Sequence, residues 1–143
     1  VSGREARAAL SLGSNLGDPA ANLARARERL AATPGLVVET ASPERRTAPQ
    51  GVTDQPDFLN QVLRVRTTLS PWELLDACLA VERELGRVRG PVRWGPRLID
   101  VDILAYDGLV VADDDLRIPH AALPLRPFFR EMLREAGAED LLP

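Results

Sequence analysis

Asp100 and Asp102 stand two residues apart in an apolar stretch, Leu98-Ile99-Asp100-Val101-Asp102-Ile103, that follows directly on Trp94-Gly95-Pro96-Arg97. On a β-strand alternate side chains share a face, so the two carboxylates project together while Ile99, Val101 and Ile103 point the other way, into a core. Mg²⁺ takes one or two carboxylates and fills its octahedron with water and phosphate oxygens. Two aspartates on one face, with arginine beside them, therefore suit Mg²⁺ bound to a polyphosphate. The competing reading is the solvated polar face of an edge strand, and Asp-x-Asp spacing alone does not separate the two.

The neighbouring arginines favour the first reading. Residues 87–97 carry Arg87, Arg89, Arg93 and Arg97 in a segment that also contains glycine and proline. Guanidinium groups are planar, permanently charged and matched to phosphate oxygens, and they stabilise charge that develops during phosphoryl transfer. Trp94 lies among them. A large aromatic has a reason to sit in such a loop if it packs when the loop closes, which makes the segment a candidate lid over a nucleotide. Otherwise it is a solvated basic loop.

A second group of residues has the chemistry to hold a flat heterocycle. Phe58, Asn60 and Phe128 supply two aromatic faces, which stack on planar rings, and an amide, which both donates and accepts along a ring edge. Taken alone, both phenylalanines read more simply as core, whereas an amide in a strand needs a partner if buried. His120 is the only histidine. It reads as a structural hydrogen-bonding residue, and without a Cys or His partner it makes no zinc site. Gly13-Ser14-Asn15-Leu16-Gly17-Asp18 has a superficial likeness to a phosphate-binding turn but reads more simply as a strand-to-helix turn.

The composition, 45% hydrophobic and 27% charged, is that of a globular chain, and residues 1–143 are expected to form a single domain. A net charge of −3 provides no basic field for nucleic acid. No apolar run reaches membrane-spanning length and no signal-peptide pattern opens the sequence, so a cytoplasmic protein is expected. The single cysteine, Cys78, excludes an internal disulfide and falls on an apolar helical pattern. All 18 basic residues are arginine. Genomic base composition is enough to explain that bias, but its chemical consequence stands. Without lysine there is no Walker A loop and no Schiff base, and phosphate recognition falls to arginine and backbone amides.

Patterning predicts the elements that would position these residues. Residues 6–13 read as a strand. Asp18-Pro19 is an N-cap followed by proline at the first helical position, opening a helix with Leu23, Ala26 and Leu30 on its apolar stripe. Residues 36–40 read as a second strand. Residues 43–57, rich in proline, read as a long irregular stretch. Residues 58–67 alternate as a third strand. Ser70-Pro71-Trp72-Glu73 is a capping box for a helix that Gly86 ends. Residues 98–106 form a fourth strand, and a last helix is expected over about 124–137. The order β-α-β-β-α-β predicts an α+β, ferredoxin-like sandwich with an antiparallel sheet, long catalytic loops and a C-terminal extension.

Five segments together resemble the 6-hydroxymethyl-7,8-dihydropterin pyrophosphokinase family over residues 8–130. They are Ser11-Leu12-Gly13-Ser14-Asn15-Leu16-Gly17-Asp18, Asp54-Gln55-Pro56-Asp57-Phe58-Leu59-Asn60, Gly86-Arg87-Val88-Arg89, Arg93 through Leu104, and Ile118-Pro119-His120. The resemblance implies transfer of pyrophosphate from ATP to the hydroxymethyl group of a reduced pterin, with release of AMP, on the folate pathway. It implies that Asp100 and Asp102 hold two Mg²⁺ ions and, with Arg87 and Arg97, carry catalysis. It implies that Phe58 and Phe128 sandwich the pterin, that Asn60 reads its edge, and that Thr47 and Trp94 line its pocket. Glu82, Arg87, Arg89, Trp94, Arg97, Ile103, His120 and Arg126 match positions on the ATP side. Gly90 stands where the family frequently has a basic residue, and Ala121 where it frequently has tyrosine.

Small-molecule substrates, ATP and the pterin, are then expected as partners, with no nucleic acid, no membrane and a monomeric state. Two rivals share some of these features. One is another Mg-dependent nucleotide phosphoryl-transfer enzyme using the same carboxylates. The other is a non-catalytic ferredoxin-like RNA-binding module, against which net charge −3 and 4% aromatic content count.

Overall fold

The chain runs β1 (Ala6–Ser14), α1 (Pro19–Ala31), β2 (Leu36–Ala41), β3 (Arg45–Thr47), β4 (Phe58–Thr67), α2 (Pro71–Glu84), β5 (Asp100–Tyr106), β6 (Val111–Ala112), β7 (Arg117–Ile118) and α3 (Phe128–Glu135). These elements come from a computed structural model that describes residues 4–49, 51, 53–86 and 98–143. The main sheet has the order β2-β4-β1-β5, with every pair antiparallel. With α1 and α2 as the two crossovers, that is the α+β, ferredoxin-like plan expected from the element order.

Strand alternation divides the core between the two faces of this sheet. One face presents Leu10, Leu12, Leu63, Val65, Val101 and Ile103 to Leu23, Ala26 and Leu30 of α1 and to Leu74, Cys78 and Val81 of α2. The opposite face presents Ala9, Val62, Leu104 and Ala105 to Phe129, Met132 and Leu133 of α3, with Ala136, Ala138 and Leu141 beyond them. The C-terminal extension thus closes one end of the second face. The other end, where Asn60, Gly13 and Asp100 lie, forms a pocket beside the start of α3.

The caps form as the sequence predicts. Asp18 Oδ1 accepts from the Ala21 amide at 3.2 Å. Ser70 Oγ accepts from the Glu73 amide at 3.2 Å while Glu73 Oε1 accepts from the Ser70 amide at 2.9 Å.

Two elements differ from expectation. The stretch 43–57 is not irregular throughout, because β3 pairs with β4 from Arg45↔Asn60 to Thr47↔Phe58. The long strand β4 has an edge that β2 covers only from Leu63 to Thr67, and β3 takes the remainder. Ser42 fills the gap between them. Its amide donates to the Val62 carbonyl at 2.8 Å, its Oγ accepts from the Val62 amide at 2.9 Å, and its carbonyl accepts from Gln61 Nε2 at 2.8 Å. The last helix is also broken, into a 3-10 turn at Leu123–Leu125 and then α3. Pro127 drives Arg126 to φ −131°, ψ 84°, out of the helical region, as proline does to the residue before it.

Candidate active site

Strand register builds the floor of the pocket. Gly13 on the central strand is the partner of Asn60 on one side and Asp100 on the other, and Ser11 is likewise flanked by Val62 and Asp102. With strands spaced about 4.8 Å apart, Asn60 and Asp100 stand roughly 10 Å from each other across the groove. Phe58, Thr47, Ala48, Arg126, Phe128 and Phe129 complete the lining.

The amide end is tightly held. Asn60 is only 6% exposed, and its Nδ2 donates to Thr47 Oγ1 at 2.5 Å. Thr47 is itself placed by its pairing with Phe58. Phe58 and Phe128 are both half-buried at the pocket, whereas Phe129 packs into the second core with its ring centroid 4.7 Å from that of Phe128. The segment just ahead of Phe58 is tethered to the end of β1, where Asn15 Nδ2 donates to Gln55 Oε1 at 2.8 Å and to the Pro56 carbonyl at 3.0 Å.

The carboxylate end lies on β5, the edge of the sheet, whose outer backbone groups need partners other than a strand. Glu82 supplies one: its buried Oε2 accepts from the Val101 amide, between the two aspartates, at 2.8 Å. The His120 segment supplies another, its amide donating to the Leu104 carbonyl at 3.0 Å, close to a register shift between β1 and β5. This docking places His120 Nε2 3.8 Å from Asp102 Oδ1, with the Asp102 side chain 44% exposed. His120 Nδ1 accepts from the Ala122 amide at 3.0 Å, so the proton of the neutral ring sits on Nε2, the nitrogen nearer Asp102. A gap of 3.8 Å is too long for a direct hydrogen bond.

Two other residues from the sequence reading lie elsewhere or act differently. Ile103 is 3% exposed in the main core, so only its main chain is available to a ligand. Arg126 lines the pocket with its guanidinium carbon 5.9 Å from the Phe129 ring centroid. Arg87, Arg89, Arg93, Trp94 and Arg97 lie outside the described residues. Where the chain re-enters the described part, the Leu98 carbonyl accepts from Asn22 Nδ2 at 3.2 Å. That buried amide also reaches Ser14 Oγ at 3.1 Å and the Leu16 carbonyl at 2.9 Å.

The geometry joins an amide-and-aromatic half to a paired-carboxylate half. The model of the 7,8-dihydro-6-hydroxymethylpterin-pyrophosphokinase family matches residues 9–137. A 2-amino-4-hydroxy-6-hydroxymethyldihydropteridine pyrophosphokinase of Methylorubrum extorquens is 52% identical over 95% of this chain and 85% of its own length. The protein of that name from Haemophilus influenzae is 38% identical over 94% of this chain and 83% of its own. The mitochondrial folate synthesis bifunctional protein of Pisum sativum is 43% identical over 83% of this chain, which corresponds to 23% of that longer protein.

The chain belongs to the hydroxymethyldihydropterin pyrophosphokinase family.

It is therefore an ATP-dependent diphosphokinase that transfers pyrophosphate to hydroxymethyldihydropterin in folate biosynthesis. Among the described residues no group of three or more His, Cys, Asp or Glu converges. Two hard carboxylates on one face fit Mg²⁺, which leaves most of its shell to water and phosphate, and do not fit zinc, which takes three or four protein ligands.

The pocket-lining residues that sequence reasoning did not single out as site residues are Ser11, Gly13, Ala48 and Phe129. One signal for the first two was present. Ala9, Ser11 and Gly13 alternate along β1 as small residues on a single face, which leaves a hollow beside larger neighbours.

Proposed function

We propose that this groove binds both substrates, the dihydropterin at Phe58, Asn60, Thr47 and Phe128, and the ATP phosphates at Asp100 and Asp102 with two Mg²⁺ ions. The observation that supports it is the row Asn60–Gly13–Asp100 across three adjacent strands, which sets a ring-edge amide and a carboxylate pair on one face of the sheet. When bound, the metal ions neutralise phosphate charge and hold the polyphosphate in line for displacement.

The chain's own part is positioning. Phe58 and Phe128 restrict the pterin to one plane, and Asn60 fixes its rotation within that plane. The hydroxymethyl oxygen is then aimed along the groove towards the carboxylates and attacks the β-phosphorus. The bond from that phosphorus to the oxygen bridging the α-phosphate breaks, AMP leaves with that oxygen, and the hydroxyl proton passes to solvent. Glu82 and the His120 segment hold the edge strand that carries the aspartates. Arg126 and His120, with Arg87, Arg89, Trp94 and Arg97, are assigned to the ATP side, and Arg87 and Arg97 to stabilising developing phosphate charge.

The reading extends to residues 1–143 acting as one monomeric domain in the cytoplasm. A single free, buried thiol fits a reducing compartment. No helix among the described residues is long and apolar enough to cross a membrane. A net charge of −3 provides no overall basic field for nucleic acid.

Mixing the protein with Mg-ATP and 6-hydroxymethyl-7,8-dihydropterin should yield AMP and the pterin diphosphate. Formation of ADP instead, or AMP formation that persists unchanged in Asp102→Ala, would contradict the site assignment.

A further inference from the structure

Gly13 occupies the interior of β1 and is not among the glycines with positive φ, so its backbone does not require glycine. Glycine inside a strand weakens it and often marks a place where something must approach closely. Here the reason is space. A Cβ built at Gly13 would lie 3.0 Å from Asn60 Oδ1 and 4.0 Å from Phe58 Cδ1. The Phe58 contact is ordinary, but the Asn60 contact is not. That amide is anchored at its other end by the 2.5 Å bond from Nδ2 to Thr47 Oγ1, and Thr47 is fixed by strand pairing. A methyl group there would push the amide by a few tenths of an ångström and so move the Oδ1 that faces the groove.

We propose that Gly13 is a specificity-determining position for the heterocyclic substrate, keeping Asn60 Oδ1 in place to accept from ring N–H groups. It acts through Asn60 and is a positioning residue. The inference rests on the assignment of this groove to the dihydropterin. Any side chain at position 13 turns the Asn60 oxygen off the ring edge and narrows the groove between Asn60 and Asp100, while the surfaces assigned to ATP stay as they are.

The test is a double-mutant cycle of Gly13→Ala and Asn60→Ala, with dissociation constants for 6-hydroxymethyl-7,8-dihydropterin and Mg-ATP and a thermal melt for each protein. Gly13→Ala should weaken pterin binding about tenfold or more, as loss of a buried hydrogen bond does, with Mg-ATP binding within about twofold of wild type. Its melting temperature should stay close to that of wild type, because the advantage of alanine over glycine in a strand offsets the disturbed Asn60 contact. In the Asn60→Ala background the same change should cost less than about twofold, since its target is gone. An unaltered pterin affinity in Gly13→Ala overturns the inference, as does an equal loss in both backgrounds. So does a joint loss of both ligands with a lower melting temperature, which is general damage to the strand. Wild-type protein that fails to bind the pterin would remove the groove assignment itself, a result visible before any variant is made.

Discussion

Asn60 and Asp100 share a single register partner, Gly13, and so face one groove from the two strands that flank β1. Neither residue is near the other in sequence, and no helix or loop is needed to bring them together. Central placement of β1 between β4 and β5, which the ferredoxin-like order dictates, is sufficient. The separation of roughly 10 Å spans a bicyclic ring with a short substituent, so one end of a pterin can meet the amide while its hydroxymethyl group lies near the carboxylates.

Asn60→Ala should therefore act on one substrate only. Loss of a buried amide that pairs with ring donors and acceptors costs about 1–3 kcal/mol, or roughly 5- to 150-fold in affinity. The KM for the pterin should rise within that range while the KM for ATP holds. Initial-rate measurements with each substrate varied in turn give both values. A parallel rise in the two would mean that Asn60 supports the fold instead of reading the ring.

Asp102→Ala should reduce turnover by at least about 10³-fold, the scale of removing a main electrostatic group from a phosphoryl-transfer site. With its side chain 44% exposed, Asp102 carries little packing, so the thermal melt should change little. Near-normal turnover would exclude it as a metal ligand. Asp100→Ala should behave alike, because the strand places both carboxylates on the same groove.

The same strand periodicity made much of the molecule readable in advance. Alternation in 58–67, the Asp18 and Ser70 caps, and the interrupted apolar pattern of 98–106 all depend on contacts within a few residues, and all appear in the structure. β3 was not readable. Three residues carry no periodicity, and they pair because β2 leaves part of the β4 edge open, a tertiary fact. The floor of the pocket was hidden for a similar reason. Gly13 looked like the end of a strand, whereas its role follows from which residues stand beside it on two other strands. Glu82, placed on the ATP side by the family resemblance, also accepts from the Val101 amide, a contact between helix and edge strand that its residue type does not reveal.

Charges on α3 have a definite partner on the sheet. Arg45 on β3 lies 2.8 Å from Glu131 and 3.4 Å from Glu135, joining the strand that carries Thr47 to the helix that begins with Phe128. The hydrogen bond from Arg45, reinforced by its charge, lowers the Glu131 pKa, and the same bond raises that of Arg45. A carboxylate with a depressed folded-state pKa stabilises the fold above its ordinary range and ceases to do so as pH falls through the folded value. Wild type should thus melt slightly above Glu131→Gln at pH 7, and the gap should close below the ordinary glutamate range of about 4. Both partners are partly solvated, so the gap should be small and shrink at 1 M salt, where the screening length falls to about 3 Å. A gap that persists at acid pH would point to packing instead of charge.

Cys78 provides a titration on the opposite side of the pH scale. It is fully buried between α2 and the sheet, and burial first, then Asp102 and Glu82, push its thiol pKa far above the ordinary range. The folded state keeps the proton that an unfolded chain releases above about pH 8.5, so the stability tied to this group is complete below that value and declines as pH rises. The expected slope approaches about 1.4 kcal/mol per pH unit once the unfolded thiol is ionised. The absence of lysine keeps this range free of lysine titrations, and Tyr106, also raised, ionises later. Denaturant midpoints measured at steps from pH 8.5 to 9.5 should fall more steeply for wild type than for Cys78→Ala, whose cavity penalty is independent of pH. Thiol reagents at pH 8 should modify the native protein only at its rate of opening, and at once in denaturant. Equal slopes for the two proteins, with rapid native labelling, would mean that the thiol ionises within the fold and that the α2–sheet interface admits water.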